Sequence, residues 1–413
     1  MKYFNIAGPC NSTKHYMINA ATRLTGVEQL IDEEQYFVIH AARQSGKTTY
    51  LKDFANRLNA DGKYYALCCS LENAQGIIDP KEGIPAIISC LKDDFLFSKI
   101  PQGDKFAQNA NMTDYVRMLQ TELKRICSLL DKPLVIFFDE VDCLSEGTLI
   151  LFLRQLRNGY NSRPEQPFVH SIVLVGMRNI RDFRAQVRPD RETVGSASPF
   201  NIATKSLTLK NFTQDETITL YRQHTDATGQ IFNEDAVKLA FDQTQGQPWL
   251  VNAIAREVIV ELLQSDYSKL VTTELVNQAI QNIIFRRDTH IDSLLERLKE
   301  DRVRNVIEPM ILGSDYVSRK SEDFLYTRDL GLIREVGFEF EPANPIYSEV
   351  IIRELSADSQ RMLHNPKYPY QMPRYLSDDH IDMDILLKDF QQFWRVNSDL
   401  GLNFMITRRL RHI

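Results

Sequence analysis

The sequence predicts an α/β protein, a parallel β-sheet with helices on both faces followed by largely helical segments, and three observations predict it. Apolar, β-branched and aromatic runs at 36–40, 63–71, 134–139 and 170–176 alternate with amphipathic patterns at 49–58, 84–95, 115–130 and 148–157. Such alternation implies parallel strands joined by helical crossovers. The first run breaks into a loop that ends Gly46-Lys47-Thr48 just before a helical pattern starts. The third run, Leu134-Val135-Ile136-Phe137-Phe138, ends in Asp139-Glu140.

The loop and the acidic strand end belong to one chemistry. Ala41-Ala42-Arg43-Gln44-Ser45-Gly46-Lys47-Thr48, continued by Thr49, fits G-x-x-x-x-G-K-[ST] with Ala41 in place of the first glycine. Between a strand and a helix, this pattern makes a socket for phosphate out of backbone N–H groups and a helix N-terminus. Gly46 lets the backbone approach the phosphates, Lys47 reaches the β- and γ-phosphates, and the Thr48 hydroxyl is placed to ligate Mg²⁺. A chance Gly-Lys-Thr in a surface turn would lack the strand before it and the amphipathic helix after it, where Leu51, Phe54, Ala55 and Leu58 recur at helical spacing. These residues read as a Walker A loop, and the fold as a P-loop NTPase sheet.

A nucleotide-hydrolysing site needs an acidic partner, and residues 134–140 read as the Walker B strand. Asp139 holds Mg²⁺ directly or through water, Glu140 polarises the attacking water, and Asp142 is a spare carboxylate. The plainer reading, a core strand capped by solvated acids, leaves the upstream loop unexplained. ATP and Mg²⁺ are the expected cofactors.

With 413 residues the chain is long enough for two or three domains with their own cores. Apolar residues make up 43% and charged residues 25%, as in water-soluble globular proteins. Forty-nine basic residues against 55 acidic leave a net charge of −6, so there is no general pull toward nucleic acid, and any such contact must be local. The six cysteines show no metal-ligand spacing and read as reduced thiols. No apolar run approaches the roughly 18 residues of a membrane span, and no signal peptide is evident. A cytoplasmic location is expected, with no membrane contact.

The remaining stretches fall into place around this core. Residues 1–35 form an N-terminal arm with a helical pattern at 20–31, in which Tyr16 or Phe4 offers a face to adenine or simply packs on the domain. Residues 36–210 make the ATPase core. Within it, 98–110 reads as an exposed insertion, Arg157-Asn158-Gly159-Tyr160 as a helix stop, 187–198 as a loop and 205–209 as a last strand. Arg178 or Asn179, after the 170–176 strand, is placed to sense the γ-phosphate, with Arg178 the catalytic candidate. Residues 211–285 form a helical lid, in which Gly246-Gln247-Pro248 interrupts two helices and Pro248 starts the second over the adenine. Residues 286–360 have the outline of a winged helix with an acidic wing, better suited to a rigid arm than to DNA. Residues 361–413 form a tail with a helix at 381–396.

The chain resembles a family of bacterial AAA-like ATP-binding proteins. The resemblance rests on Phe4-Asn5 with Gly8-Pro9 and His15-Tyr16, on 41–48, on Phe138-Asp139-Glu140-Val141-Asp142, and on Gly246-Gln247-Pro248-Trp249-Leu250-Val251-Asn252, and it spans residues 3–396. It implies an ATPase core. Longer members of that family continue past a segment like Phe390-Gln391-Gln392-Phe393-Trp394-Arg395 into a PD-(D/E)XK nuclease-like domain. Residues 401–413 do not resemble that continuation, so a truncated gene and no DNA cleavage are expected.

Three functions fit these residues. One is an ATP-driven switch acting on an unknown protein partner. Another is a DNA-associated ring, a motor or origin-binding homo-oligomer using Arg154, Arg157 or Arg163 as its finger. The third is a P-loop kinase or other transferase, which the water-activating Asp139-Glu140 pair fits less well.

Overall fold

The computed structural model describes residues 1–19, 23–108, 113–177, 205–311, 321–337, 339–363, 376–377, 380–388 and 391. Five short strands make the sheet: β1 (Phe37–His40), β2 (Tyr65–Ser70), β3 (Leu134–Asp139), β4 (Ser171–Gly176) and β5 (Lys205–Thr208). Their spatial order is β2-β3-β4-β1-β5, and every neighbouring pair is parallel. The strand before the loop is therefore separated from the acidic strand by β4.

Every residue of β1, β3 and β4 is buried, as in a parallel sheet covered on both faces. Strand side chains alternate between the two faces, and two separate cores result. Val38, Ile136, Phe138, Ile172 and Leu174 meet α3 (Pro80–Phe97), α4 (Met118–Leu129) and α5 (Glu146–Asn161). Phe37, Ile39, Val135, Phe137, Val173 and Val175 meet α1 (Val27–Asp32) and α2 (Lys47–Asp61).

Some local expectations give way to packing. Of the helix pattern at 20–31, Val27–Asp32 forms α1, with Gly26 at φ 82° standing before it, while residues 20–22 lie outside the described residues. Helix α5 runs through the expected stop at Gly159 to Asn161. That glycine serves close approach instead, since a Cβ there would lie 2.1 Å from the Phe168 ring. The insertion 98–110 is not wholly exposed, as Phe106 is fully buried and stacks on Phe95 at 4.7 Å between ring centres.

After the sheet come α6 (Gln214–Thr228), α7 (Glu234–Thr244), α8 (Pro248–Arg256), continued by a π-helical segment Glu257–Leu262, and α9 (Thr273–Arg286). Helix α6 starts with a reciprocal capping box between Thr213 and Glu216. Helices α10 (Thr289–Leu298), α11 (Asp301–Ile311) and α12 (Glu322–Asp329) precede an antiparallel hairpin, β6 (Ile333–Val336) and β7 (Glu339–Pro342), and then α13 (Pro345–Leu363). The chain divides into two units, Met1–Ile352 and Arg353–Ile413. In the second, Leu376–Ser377 pairs antiparallel with His380–Ile381, and 383–388 is helical, so the tail helix expected from 381 starts later. Residues 401–413 and the loop at 187–198 lie outside the described residues. No described helix is long and apolar enough to cross a membrane.

Candidate nucleotide site

The loop 41–46 leaves the end of β1 and turns into α2. Gln44 (φ 55°) and Gly46 (φ 89°) take left-handed conformations, while Ala41 does not, so a methyl group is tolerated at that position. The loop closes on itself, because the Lys47 ammonium donates to the carbonyls of Ala41 and Ala42, each at 2.8 Å. An ammonium has three protons, so one remains for an acceptor in the cavity beyond. Thr49 uses its hydroxyl differently, accepting from the Cys10 N–H at 2.9 Å and tying the N-terminal arm to α2.

The acidic strand end reaches the same place. The Thr48 hydroxyl donates to Asp139 Oδ2 at 2.6 Å, across 91 positions of sequence, and Asp139 Oδ1 accepts from the Glu140 N–H at 3.0 Å. Glu140 stands at φ 58°, which turns the chain sharply off the strand. Its carboxyl is held above the usual carboxylate range by burial and by the charges of Glu72, Asp139 and Asp142, against the pull of Lys47. Burial pulls Lys47 down, opposed by the carboxylates of Asp139, Asp142 and Glu140. Asp142 is not spare. Its Oδ2 accepts from the Met177 N–H at 3.1 Å and locks the end of β4, where a Cβ on Gly176 would lie 2.7 Å from Oδ1. Arg178 and Asn179, one step beyond, lie outside the described residues.

These groups face a cavity of about 830 Å³. Its far wall comes from the arm and the helical segment, including Ile6, Tyr16, Leu220, Pro248 and Trp249. Phe4 and Tyr16 are buried and pack on each other, with the Tyr16 hydroxyl 3.2 Å from His224, so Phe4 in particular is committed to the core. Pro248 occupies the first turn of α8, whose N-cap is Gln247. The Gln247 side chain accepts from the Leu250 N–H at 2.7 Å and directs its amide toward the carbonyls of Arg43 and Gln44 at 3.4 and 3.5 Å.

Several residues that sequence reasoning passed over complete the surroundings of the loop. His290 donates from Nδ1 to Gln44 Oε1, accepts from the Tyr347 hydroxyl at 2.6 Å, and stacks on Trp249 at 4.7 Å. Burial, and then the Arg43 charge, pull it down to about 3, so it is neutral at ordinary pH. Arg43 donates to Ser293 at 3.0 Å, Arg297 lines the cavity, and Gly331 packs on Ala42 so closely that a Cβ would lie 2.4 Å from the Ala42 methyl. A lone histidine or glycine in a helical region carries no sequence signal for such contacts.

Comparison with known families now bears on this geometry. The profile of the AAA-like domain family matches residues 8–352, most of the chain. The chain belongs to the AAA-like domain family. Comparison with curated proteins gives no match. Among solved structures, this AAA-like chain is similar to a Walker-type ATPase of Pyrococcus abyssi, at 15% identity and TM-score 0.56, over 84% of this chain and 99% of that one. That likeness supports the fold, a P-loop ATPase sheet flanked by helices. A weaker likeness, TM-score 0.45 and 14% identity, links 81% of the chain to 93% of the ORC2 protein of Aeropyrum pernix, whose structure is of ADPNP and ADP complexes.

Proposed function

We propose that this AAA-like protein binds ATP with Mg²⁺ in the cavity above the 41–48 loop, hydrolyses it slowly, and uses the cycle to move its C-terminal segments. The observation that carries the reading is the 2.6 Å contact between the Thr48 hydroxyl and Asp139, beside Lys47 and Glu140. An alcohol and a carboxylate oxygen side by side suit Mg²⁺, which keeps several waters and takes few protein ligands alongside substrate phosphates. When bound, the ion would supply charge neutralisation on the phosphate oxygens. Lys47 contributes its remaining N–H to those oxygens, and the N-terminus of α2 presents backbone N–H groups to them. Ala42, Arg43, Gln44 and Ser45 shape that socket, and Pro248 borders the cavity on the lid side. Glu140, once ionised, accepts a proton from the attacking water, with Arg178 proposed as the γ-phosphate sensor.

The switch is supported by direct contacts between the loop and residues 286–352, namely Gln44 with His290, Arg43 with Ser293, and Ala42 against Gly331. A change in loop shape is therefore felt at once by those segments. We read 211–285 as a lid, and the three helices plus hairpin of 286–360 as winged-helix-like, acting as an arm on a protein partner in the cytoplasm. Arg163 is held within its own chain, with His170 O at 2.7 Å and Glu34 at 3.3 Å, which counts against it as a finger for a neighbouring subunit. Calorimetric titration with ATP–Mg²⁺ should give saturable binding to the wild type and none to Lys47→Ala, and unchanged affinity in that variant would end the reading.

A further inference from the structure

Arg23 lines the nucleotide cavity beside the loop without a part in the chemistry proposed for it. It sits in the N-terminal arm just before α1, and its guanidinium lines the same cavity as Lys47 and Thr48. Nε donates to the Lys210 carbonyl at 3.0 Å, and Nη2 donates to the same carbonyl and to Ser45 O, the latter at 3.0 Å. The Phe212 ring lies against it, 4.9 Å from Cζ to the ring centre. Two stretches far apart in sequence, the loop at Ser45 and the segment 210–212, thus hold the side chain in one orientation.

What it lacks is a counter-charge. Both its anchors are neutral carbonyls, and among the described residues no carboxylate forms an ion pair with it. The one acid among the described residues whose charge favours it is Glu216, whose carboxylate accepts from the Thr213 N–H in the capping box. Burial pulls the guanidinium down to about 10, which still leaves it fully charged at neutral pH. A partly buried charge without a partner is costly to hold, and the cost is met when the partner is a ligand. Nη1, which has no acceptor among the described residues, lies 3.5 Å from where a Cβ on Gly46 would stand, against the mouth of the loop.

We propose that Arg23 is a nucleotide-binding residue, whose Nη1 edge holds the phosphate chain of a nucleoside di- or triphosphate beside Gly46. The proposal rests on the nucleotide reading above and adds a charged clamp from the arm. It also gives the arm a task, because nucleotide bound by Arg23 is bound jointly by the arm, the loop and the segment leading into α6.

The test compares wild type, Arg23→Gln and Arg23→Lys by calorimetry with ATP–Mg²⁺, ADP and inorganic pyrophosphate. Loss of one charge-assisted contact should weaken all three ligands about ten- to a hundredfold in Arg23→Gln, with Arg23→Lys recovering most of the ATP affinity by restoring the charge without the two carbonyl bonds. Equal ATP affinity in wild type and Arg23→Gln would overturn the proposal, and so would equal weakening in the Gln and Lys variants, which marks a purely structural tie. If Arg23→Gln does not fold, the wild type decides. Phenylglyoxal modification of Arg23, mapped by mass spectrometry, should be suppressed by ADP and by pyrophosphate, and modification unaffected by either refutes the clamp. Failure of wild-type chain to bind ATP at all would instead sink the parent reading.

Discussion

Glu140 shows how one residue can be placed by the sequence and tuned by the fold. Its position after an apolar strand makes it the proposed base, and its proton affinity is raised by burial and by three neighbouring acids, Glu72, Asp139 and Asp142. A carboxyl held above its usual range ionises later as pH rises, so the acid limb of ATP turnover should lie above the ordinary value of 4.5. The same shift has a consequence for stability. A raised carboxyl contributes stability in its protonated form, which is lost as pH rises through the raised value, so at neutral pH the ionised group is a burden. Glu140→Gln should keep ATP binding, reduce turnover about 10²- to 10⁴-fold, and raise the melting temperature of the nucleotide-free chain at pH 7. A lowered melting temperature would show that the carboxylate is held by attraction instead.

At the scale of elements, the turn between α7 and α8 carries the most consequence for its size. Gly246 stands at φ 69°, and a Cβ there would lie 1.9 Å from the Phe212 carbonyl oxygen, while its own carbonyl accepts from the Phe212 N–H at 2.8 Å. Neither partner is a flexible side chain, so the backbone itself would have to move. Gly246→Ala should therefore cost about 3 kcal/mol or more of stability, seen in urea unfolding. It should also weaken ATP binding, because Gln247, the next residue, both caps α8 and faces the loop carbonyls. Wild-type stability in Gly246→Ala would mean that the turn is looser than its geometry implies.

For the whole molecule, His290 joins the loop to the C-terminal segments and lends them a pH dependence. Its ordinary value of 6.5 falls to about 3 on folding, so between those values the unfolded chain binds a proton that the folded chain refuses. Stability contributed this way is intact above pH 6.5 and falls as pH drops below it. Relative to His290→Gln, wild type should lose up to about 1.4 kcal/mol of unfolding free energy per pH unit through that window, measured by urea unfolding of both proteins. Parallel pH profiles would remove His290 from the account. For a switch, the mass of the chain in solution should be the same with and without ATP–Mg²⁺, and growth to a ring on adding nucleotide would favour the alternative of a DNA-associated motor.

By itself the sequence determined the α/β class and the five strands to within a few residues, and it singled out the loop and the acidic strand end. These are local signals, in which hydrophobic periodicity and short motifs report on their own neighbourhood. It misread Gly159 as a helix stop, because a glycine in a helix looks alike whether it ends the helix or makes room for Phe168. Asp142 read as spare because its partner, the Met177 N–H, lies across a strand boundary 35 positions away. Only the tertiary structure decided that β4 lies between β3 and β1, that Thr48 meets Asp139, and that Arg23, Gln247 and His290 surround the loop. Those contacts join residues from 22 to 246 positions apart, and contacts at that separation are made by the packing of whole elements, which no short stretch of sequence records.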